Sequence, residues 1–380
     1  MQNFDFTPLT LPPECSALRA EVRAFLAEEL RQHSAVQRAA TWMAFDADFS
    51  RKLGARGWIG MTWPRRYGGH ERSALERYVV LEELLAAGAP VAAHWIADRQ
   101  SGALLLRHAS ERQKEMYLPR IARGELYFCI GMSEPGAGSD LAAITTRARR
   151  IDGGWRISGA KLWTTFAQHA QMMIALVRTS DRDGERHAGL SQFLLDLSAP
   201  GITVRPIADQ TGGEHFCEVF FDDVRVDDEQ LLGSEGDGWR QVNAELALER
   251  SGPERYLSSF RLLEELLAAL PPQPSAHLLD LLGGAVAEAW TLRQMSQSVA
   301  GALARGDDPA LAAVIVKELG NRFEQELPRR VQAALDGDIE MHEALLDTLN
   351  FLLCASPCFS LRGGTREILR GIIARGLGLR

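Results

Sequence analysis

Residues 127 to 140, YFCIGMSEPGAGSD, run an apolar strand straight into a glycine-serine turn that closes on a carboxylate. Gly136 and Gly138 leave the backbone bare of side chains. Successive amides can then point into one concavity that suits a phosphate, with the Ser139 hydroxyl as a further donor. The stretch therefore reads as a flavin or nucleotide signal, and its plain alternative is an ordinary turn after a strand.

Working outward from this stretch, the chain has three regimes: 1–126, 127–235 and 236–380. Before it the pattern is helical. ALRAEVRAFLAEELRQH (17–33) and LERYVVLEELLAAG (75–88) repeat apolar residues at steps of three and four, and glycine and proline interrupt the helices at Trp63 to Gly69. After it come short β-rich runs. TTRARRI and WRISGAKLW flank a hairpin turn at Asp152-Gly153-Gly154, followed by MMIALVRT, SQFLLDL, ITVRPI and CEVFFDDVRV. Beyond Gly238 long amphipathic helices are expected at 239–270, 278–303, 309–335 and 340–354, with a last one from about 365. ALPPQPSA (269–276) is the interhelical loop.

Composition bounds the function. The chain has 380 residues, 46% hydrophobic and 24% charged, enough for two or three domains with real cores. A net charge of −8 argues against nucleic acid and anionic membranes, while leaving room for an arginine cluster on one polyanionic tail. No apolar run reads as long enough to span a bilayer, and MQNFDFTPLTLPPEC is not a secretory signal. A cytoplasmic enzyme is expected. The five cysteines lack paired spacing, so neither disulfides nor zinc are expected, and Cys354 with Cys358 reads as a buried pair on one helix face. The histidines form no ligand pattern, so no metal is expected.

On the helix expected from 239, Trp239, Val242, Leu246, Glu249, Pro253, Tyr256, Phe260 and Leu263 form a stripe in which Glu249 is the only charge. A carboxylate buried in a low dielectric has a raised pKa, which suits a base that must remove a weakly acidic C–H proton near neutral pH. The alternative is a buried ion pair with Arg250, Arg255 or another arginine. Pro253 cannot donate to the carbonyl of Glu249, so the helix should kink or loosen there. Leu248 and Leu257 lie off the stripe.

The opening stretch resembles the flavin-binding signature of the acyl-CoA dehydrogenase family. Further segments follow in that family's order: GWIGMTWPRRYGG (57–69), ERQKEMYLPRIARGE (111–125), SGAKLWTT (158–165), FDDVRVDDEQLLGSEGDGW (221–239) and RGGTREILRGIIARGLGL (362–379). The resemblance implies an α+β fold with an N-terminal helical domain, a central β-barrel-like domain and a C-terminal four-helix bundle. It also implies FAD as cofactor, held by Ile130, Met132, Ser133, Gly138, Ser139, Trp163, Thr165, Thr365 and Glu367. Trp163 would lie against the flavin and Thr165 would bond near its reactive nitrogen; for Trp163 the alternative is a core aromatic at a strand end. Family members mostly carry the base in a C-terminal Tyr-Glu-Gly-Thr segment. Here that segment reads Arg362-Gly363-Gly364-Thr365, and Gly363 cannot act as a base. Glu249-Arg250 matches the position used by the isovaleryl and long-chain branches.

The implied reaction is α,β-dehydrogenation of an acyl-CoA thioester to the trans-2-enoyl-CoA, with Glu249 taking the α-proton and hydride passing to the flavin. The Gly363 N–H and a ribityl hydroxyl would donate to the thioester oxygen. Ser139, Arg250 and Gly364 would contact the substrate, Arg250 either positioning the base or meeting the CoA tail; its alternative is an ordinary surface arginine. Arg362 is expected in solvent, or else facing a substrate carboxylate. The implied partners are an electron-transferring flavoprotein and further copies in a homodimer or homotetramer. Two family motifs have no match. Arg-x-x-Phe-Gly is replaced by LPPQPSAHLLDLLGGA (270–285), and Gln-x-x-Gly-Gly-x-Gly by LNFLLCASPCFSLRGG (349–364). Both serve the far end of FAD across a subunit contact, which leaves two alternatives: a non-autonomous subunit of a heteromeric pair, and an acyl-CoA oxidase using oxygen.

Overall fold

The structure is a computed structural model of the chain. It describes residues 6–181, 185–250, 252–335 and 342–379, with the side chains of 244–249 outside that description. Helices come first: α1 (Pro13–Glu29), α2 (Ala35–Ala40), α3 (Ala47–Ala55), α4 (Ala74–Ala86), α5 (Ala92–Ile96), α6 (Gly102–His108) and α7 (Glu111–Ala122). Strands follow: β1 (Phe128–Gly131), β2 (Arg147–Ile151), β3 (Gly154–Thr165), β4 (Met172–Arg178), β5 (Leu190–Asp196), β6 (Ile202–Ile207), β7 (Phe216–Asp227) and β8 (Leu231–Leu232). Helices return as α8 (Gly238–Glu249), α9 (Phe260–Ala268), α10 (Ala276–Ala304), α11 (Ala310–Ala334), α12 (Glu343–Ala355) and α13 (Arg366–Gly376). The expected succession of helices, sheet and helices is what forms.

Local chemistry sets several helix starts. Ser34, Ser73 and Ser110 each accept the amide three residues on, while Gln37, Glu76 and Gln113 accept the serine's own amide, closing capping boxes on α2, α4 and α7. Ser275 caps α10 directly after the proline-rich loop.

The chain divides into two compact units. One comprises Met1–Ala44, Arg72–Val91 and Glu249–Arg380; the other comprises Phe45–Glu71 and Ala92–Leu248. In the second unit the strands run β6-β7-β3-β2-β4-β5-β8, with β1 parallel to β4. Ile151 pairs with Gly154 across the expected hairpin. β4 is buried at every position, which is why MMIALVR does not alternate. Trp155, Ile157, Val177, Phe193, Leu195 and Val219 fill the core beneath the sheet.

In the first unit α1 packs Leu18, Val22 and Phe25 towards α4, and the long helices α10 and α11 lie side by side. Three expectations are corrected here. The helix expected over 239–270 is two helices, α8 and α9, separated by a 3₁₀ turn at Pro253–Arg255. Pro253 begins that turn, and its missing N–H makes it a poor continuation of α8. Cys354 is exposed and Cys358 half-buried, so they are not a buried pair; the chain passes from α12 into a 3₁₀ turn between them. By length and composition alone, Glu343–Leu361 is apolar enough to cross a membrane, against the expectation that no run is. In the structure it is α12 and the turn after it, with Leu345, Leu349 and Leu352 buried within the unit.

Candidate functional site

Ser133 to Asp140 form a compact turn in the second unit. Glu134 and Ala137 exchange both backbone hydrogen bonds, at 2.9 and 3.0 Å, around Pro135-Gly136. The amides of Gly136, Gly138 and Ser139 have no hydrogen-bond partner among the described residues, and a Cβ added at either glycine would meet nothing within 4 Å. All three residues are exposed, so their unpaired donors are open to an anion. Ile130, Met132 and Ser133, on β1 and just after it, are half-buried.

This turn is fastened to the end of β3. The Leu162 N–H donates to the Ser133 carbonyl at 2.9 Å, and the register against β7 slips between Lys161 and Thr164. The irregularity re-aims one side chain. Trp163 takes a left-handed φ of 61° and stands 55% exposed, its ring edge-on to Phe216 at 5.8 Å. A non-glycine residue held there stores strain, a recurrent mark of ligand-facing positions. Thr165, at the end of the strand, is half-buried.

Beneath the turn lies an ion pair. Lys161 is fully buried, and its Nζ donates to Glu134 Oε1 at 2.8 Å and to the Met132 carbonyl at 3.2 Å. Glu134 also accepts the amides of Thr145 and Thr146, at 2.6 and 3.0 Å. Burial alone would raise the Glu134 pKa, but the Lys161 charge and these hydrogen bonds outweigh it and hold the carboxyl at about 2. Burial pushes Lys161 down to about 8 against the opposing pull of Glu134. Glu134 and Lys161 lie inside the quoted motifs but were not singled out in the sequence. Lys161 could have been found there, because it sits two-residue steps from the inward-facing Trp155 and Ile157.

The other group of candidates lies in the first unit. Glu249 ends α8, and its side chain lies outside the described residues. Arg250 follows, and its Nε donates to the Gly363 carbonyl at 3.3 Å across 113 residues of sequence. Gly363 and Gly364 take φ of 60° and 100°, conformations open to glycine at little cost. The Gly364 carbonyl accepts Lys317 Nζ at 2.6 Å. Thr365 is the N-cap residue of α13, and the Glu367 carboxyl's pKa is lowered by its own backbone amide and then by a hydrogen bond with the Thr365 side chain. Arg250 also lines a cleft of about 480 Å³ with Leu311, Val314, Ile372 and Arg375.

Arg362 departs from expectation. It does not stand in solvent, being 15% exposed, and its guanidinium lies 3.9 Å from the centre of the Trp42 ring and 3.4 Å from the buried carboxylate of Glu324. An arginine with an internal counter-charge is poorly suited to capture a substrate carboxylate.

Residues 12–125 match the model of the acyl-CoA dehydrogenase N-terminal domain, and residues 129–224 that of the acyl-CoA dehydrogenase middle domain. The chain belongs to the acyl-CoA dehydrogenase family. It is similar to acyl-CoA dehydrogenase IpdE1 of Mycobacterium tuberculosis, 33% identical over 383 residues that cover 95% of this chain and 97% of that protein. It is also similar to acyl-CoA dehydrogenase FadE34 of the same organism, 35% identical over 97% of this chain and 48% of that protein, so it spans about half of FadE34. Among solved structures, the Tcur3481-Tcur3483 steroid ACAD superposes with a TM-score of 0.86 at 28% identity, over 99% of both chains.

An acyl-CoA dehydrogenase is a flavoprotein oxidoreductase, and FAD is its cofactor. The second unit fits that group: unpartnered amides at Gly136, Gly138 and Ser139 suit a pyrophosphate, and the outward-facing Trp163 offers a flat apolar surface to a ring system. Each unit thus carries its own group of candidate residues, one around Trp163 in the second unit and one around Gly363 in the first.

Proposed function

We propose that this acyl-CoA dehydrogenase oxidises an acyl-CoA thioester between its α and β carbons, with Glu249 as the base. The observation that carries this reading is the Arg250–Gly363 hydrogen bond, which brings the residue next to Glu249 onto the glycine loop. Glu249 takes the α-proton. The Gly363 N–H, in a loop whose next two carbonyls are held by cationic side chains, donates to the thioester oxygen and stabilises the enolate charge as it forms. FAD, which Ser133, Gly138, Ser139, Trp163 and Thr165 would hold and to which Thr365 and Glu367 are also assigned, would supply the acceptor for the β-hydride. Arg250 orients the glycine loop. Electron transfer to an electron-transferring flavoprotein, and a cytoplasmic setting supported by five cysteines without a disulfide among them, belong to the same reading.

The test is anaerobic bleaching of the flavin by straight-chain, branched and polycyclic acyl-CoAs. The polycyclic arm is included because of the likeness to a steroid ACAD. Glu249→Gln is expected to keep its FAD and to bleach at least about a hundredfold more slowly. Undiminished bleaching would assign the proton to another group.

A second reading has its own support. The two FAD-reaching motifs are missing at 270–285 and 349–364, and the Tcur3481-Tcur3483 enzyme carries two component names. In that reading the chain is one half of a heteromeric dehydrogenase. Colourless protein that gains flavin only with a second chain would support it, whereas a yellow homo-oligomer with one FAD per chain would exclude it. Rapid peroxide formation in air would instead indicate an oxidase.

A further inference from the structure

Lys317, Asn321 and Glu324 follow one another on α11 at steps of four and three, so they share a face, and all three are fully buried. Charged groups are seldom sealed inside a helical core unless they hold something, and Lys317 and Glu324 do, whereas the Asn321 side chain has no hydrogen-bond partner among the described residues. Gly320, beside them, lies so close to the 253–255 turn that a Cβ there would sit 1.9 Å from the Arg255 carbonyl oxygen. Helix and turn therefore meet backbone to backbone.

From that contact the polar stripe reaches two ways. Towards the start of α11, Lys317 Nζ donates to the Gly364 carbonyl at 2.6 Å. Towards its end, Glu324 Oε1 accepts the Ser258 amide at 2.8 Å, and the Glu324 carbonyl accepts the Ser259 hydroxyl at 2.9 Å. Glu324 Oε2 meets Arg362 at 3.4 Å, and Arg362 also donates to the Phe359 carbonyl at 3.3 Å. The stretch that follows Glu249-Arg250 and the loop that carries Gly363 are thus pinned to one rigid rod. An apolar face could have packed the same elements. Directional bonds from buried charges fix register instead, and oxyanion and proton-transfer geometry tolerate errors of well under an ångström.

We propose that Lys317 and Glu324 are positioning residues of the dehydrogenation. Through Gly364 and Ser258 they set the spacing between the Glu249-Arg250 segment and the Gly363 amide. The proposal rests on the roles given above to Glu249 and Gly363.

The test uses the full flavin-loaded chain and the near-isosteric variants Lys317→Met and Glu324→Gln, with Lys317→Arg as a rescue. Amide hydrogen exchange is read by mass spectrometry on peptides spanning 253–259 and 362–365. Flavin reduction is read with whichever acyl-CoA of the panel bleaches the wild type fastest. Lys317→Met is expected to exchange about tenfold faster over 362–365, as lost local protection requires. Its limiting reduction rate should fall by about a hundredfold, the scale of a 1 Å misplacement, with acyl-CoA Kd and flavin content nearly unchanged and part of the rate restored in Lys317→Arg. Glu324→Gln should show the same pattern with the exchange increase over 253–259, and it stands in if Lys317→Met does not fold. Unchanged exchange in a protein whose wild type bleaches overturns the proposal alone, as does a weakened Kd at an undiminished limiting rate. Faster exchange in the variants of a protein that no acyl-CoA bleaches overturns the reaction assigned to the site, and the positioning role with it.

Discussion

Lys161 and Glu134 show how one buried pair can serve a site it does not touch. Truncating only Lys161 would strand a carboxylate that is 6% exposed, a defect worth about 3–5 kcal/mol. Retaining both lets the anion-cradle turn and the Trp163 strand share one anchor. The pair also gives a pH signature. The Glu134 carboxyl is held at about 2 in the fold against an ordinary 4.5, so its stabilising contribution is fully present above about 4.5. That contribution disappears as the pH falls towards about 2, where the folded carboxyl finally takes its proton. Thermal midpoints measured across this window are expected to drop more steeply in the wild type than in Glu134→Gln; parallel curves would show that the carboxylate contributes nothing. At this scale the site was partly legible. The glycine turn and Trp163 could be read from residue type and order, whereas the strain at Trp163 depends on a β-bulge that no local pattern in SGAKLWTT announces.

Elements are where sequence reading succeeded and failed for identifiable reasons. Strands and helices with strong caps or even alternation fall where expected. The helix over 239–270 did not form as one piece, because a stripe at steps of three and four also survives a 3₁₀ turn. Residues 253–259 are all buried, on every side, which no one-faced helix shows; the off-stripe Leu257 was a trace of this. The stripe argument for burying Glu249 therefore loses its continuity past residue 250, and the case for that base rests on Arg250 and the family position. Lys317, Asn321 and Glu324 escaped notice because, in sequence, a charged and amide set at helical spacing reads as a solvated face. Gly320 gives a direct check on the backbone contact. Alanine there would gain about 1 kcal/mol in helix propensity, yet its methyl group would run into a carbonyl that cannot rotate away, an overpacking cost of about 1–3 kcal/mol. Gly320→Ala is expected to be destabilised by up to about 2 kcal/mol in urea unfolding, and a stabilised variant would contradict the close approach.

At the scale of the whole molecule, the question is how many chains build a working enzyme. α10 gives a handle on that question. Leu279, Val286 and Trp290, at steps of seven and four, are 53%, 53% and 59% exposed, and Gly283 and Gly284 beside them are open to solvent. Such an uncovered apolar row is the kind of surface that oligomers close over. Trp290→Glu is therefore expected to shift sedimentation towards smaller species without changing helix content; an unchanged association state would place the subunit contact elsewhere.

Trp163 and Trp290 have an optical consequence. Trp42, Trp58, Trp63, Trp95 and Trp155 are all 6% exposed or less and Trp239 is half-buried against the His187 ring, so a collisional quencher such as iodide chiefly samples the two indoles that stand in water. Occupation of the cradle should shield the one on β3, and meeting another chain the one on α10. A single fluorescence titration on Trp163→Phe and Trp290→Phe backgrounds would then follow cofactor loading and assembly as separate signals from unlabelled protein.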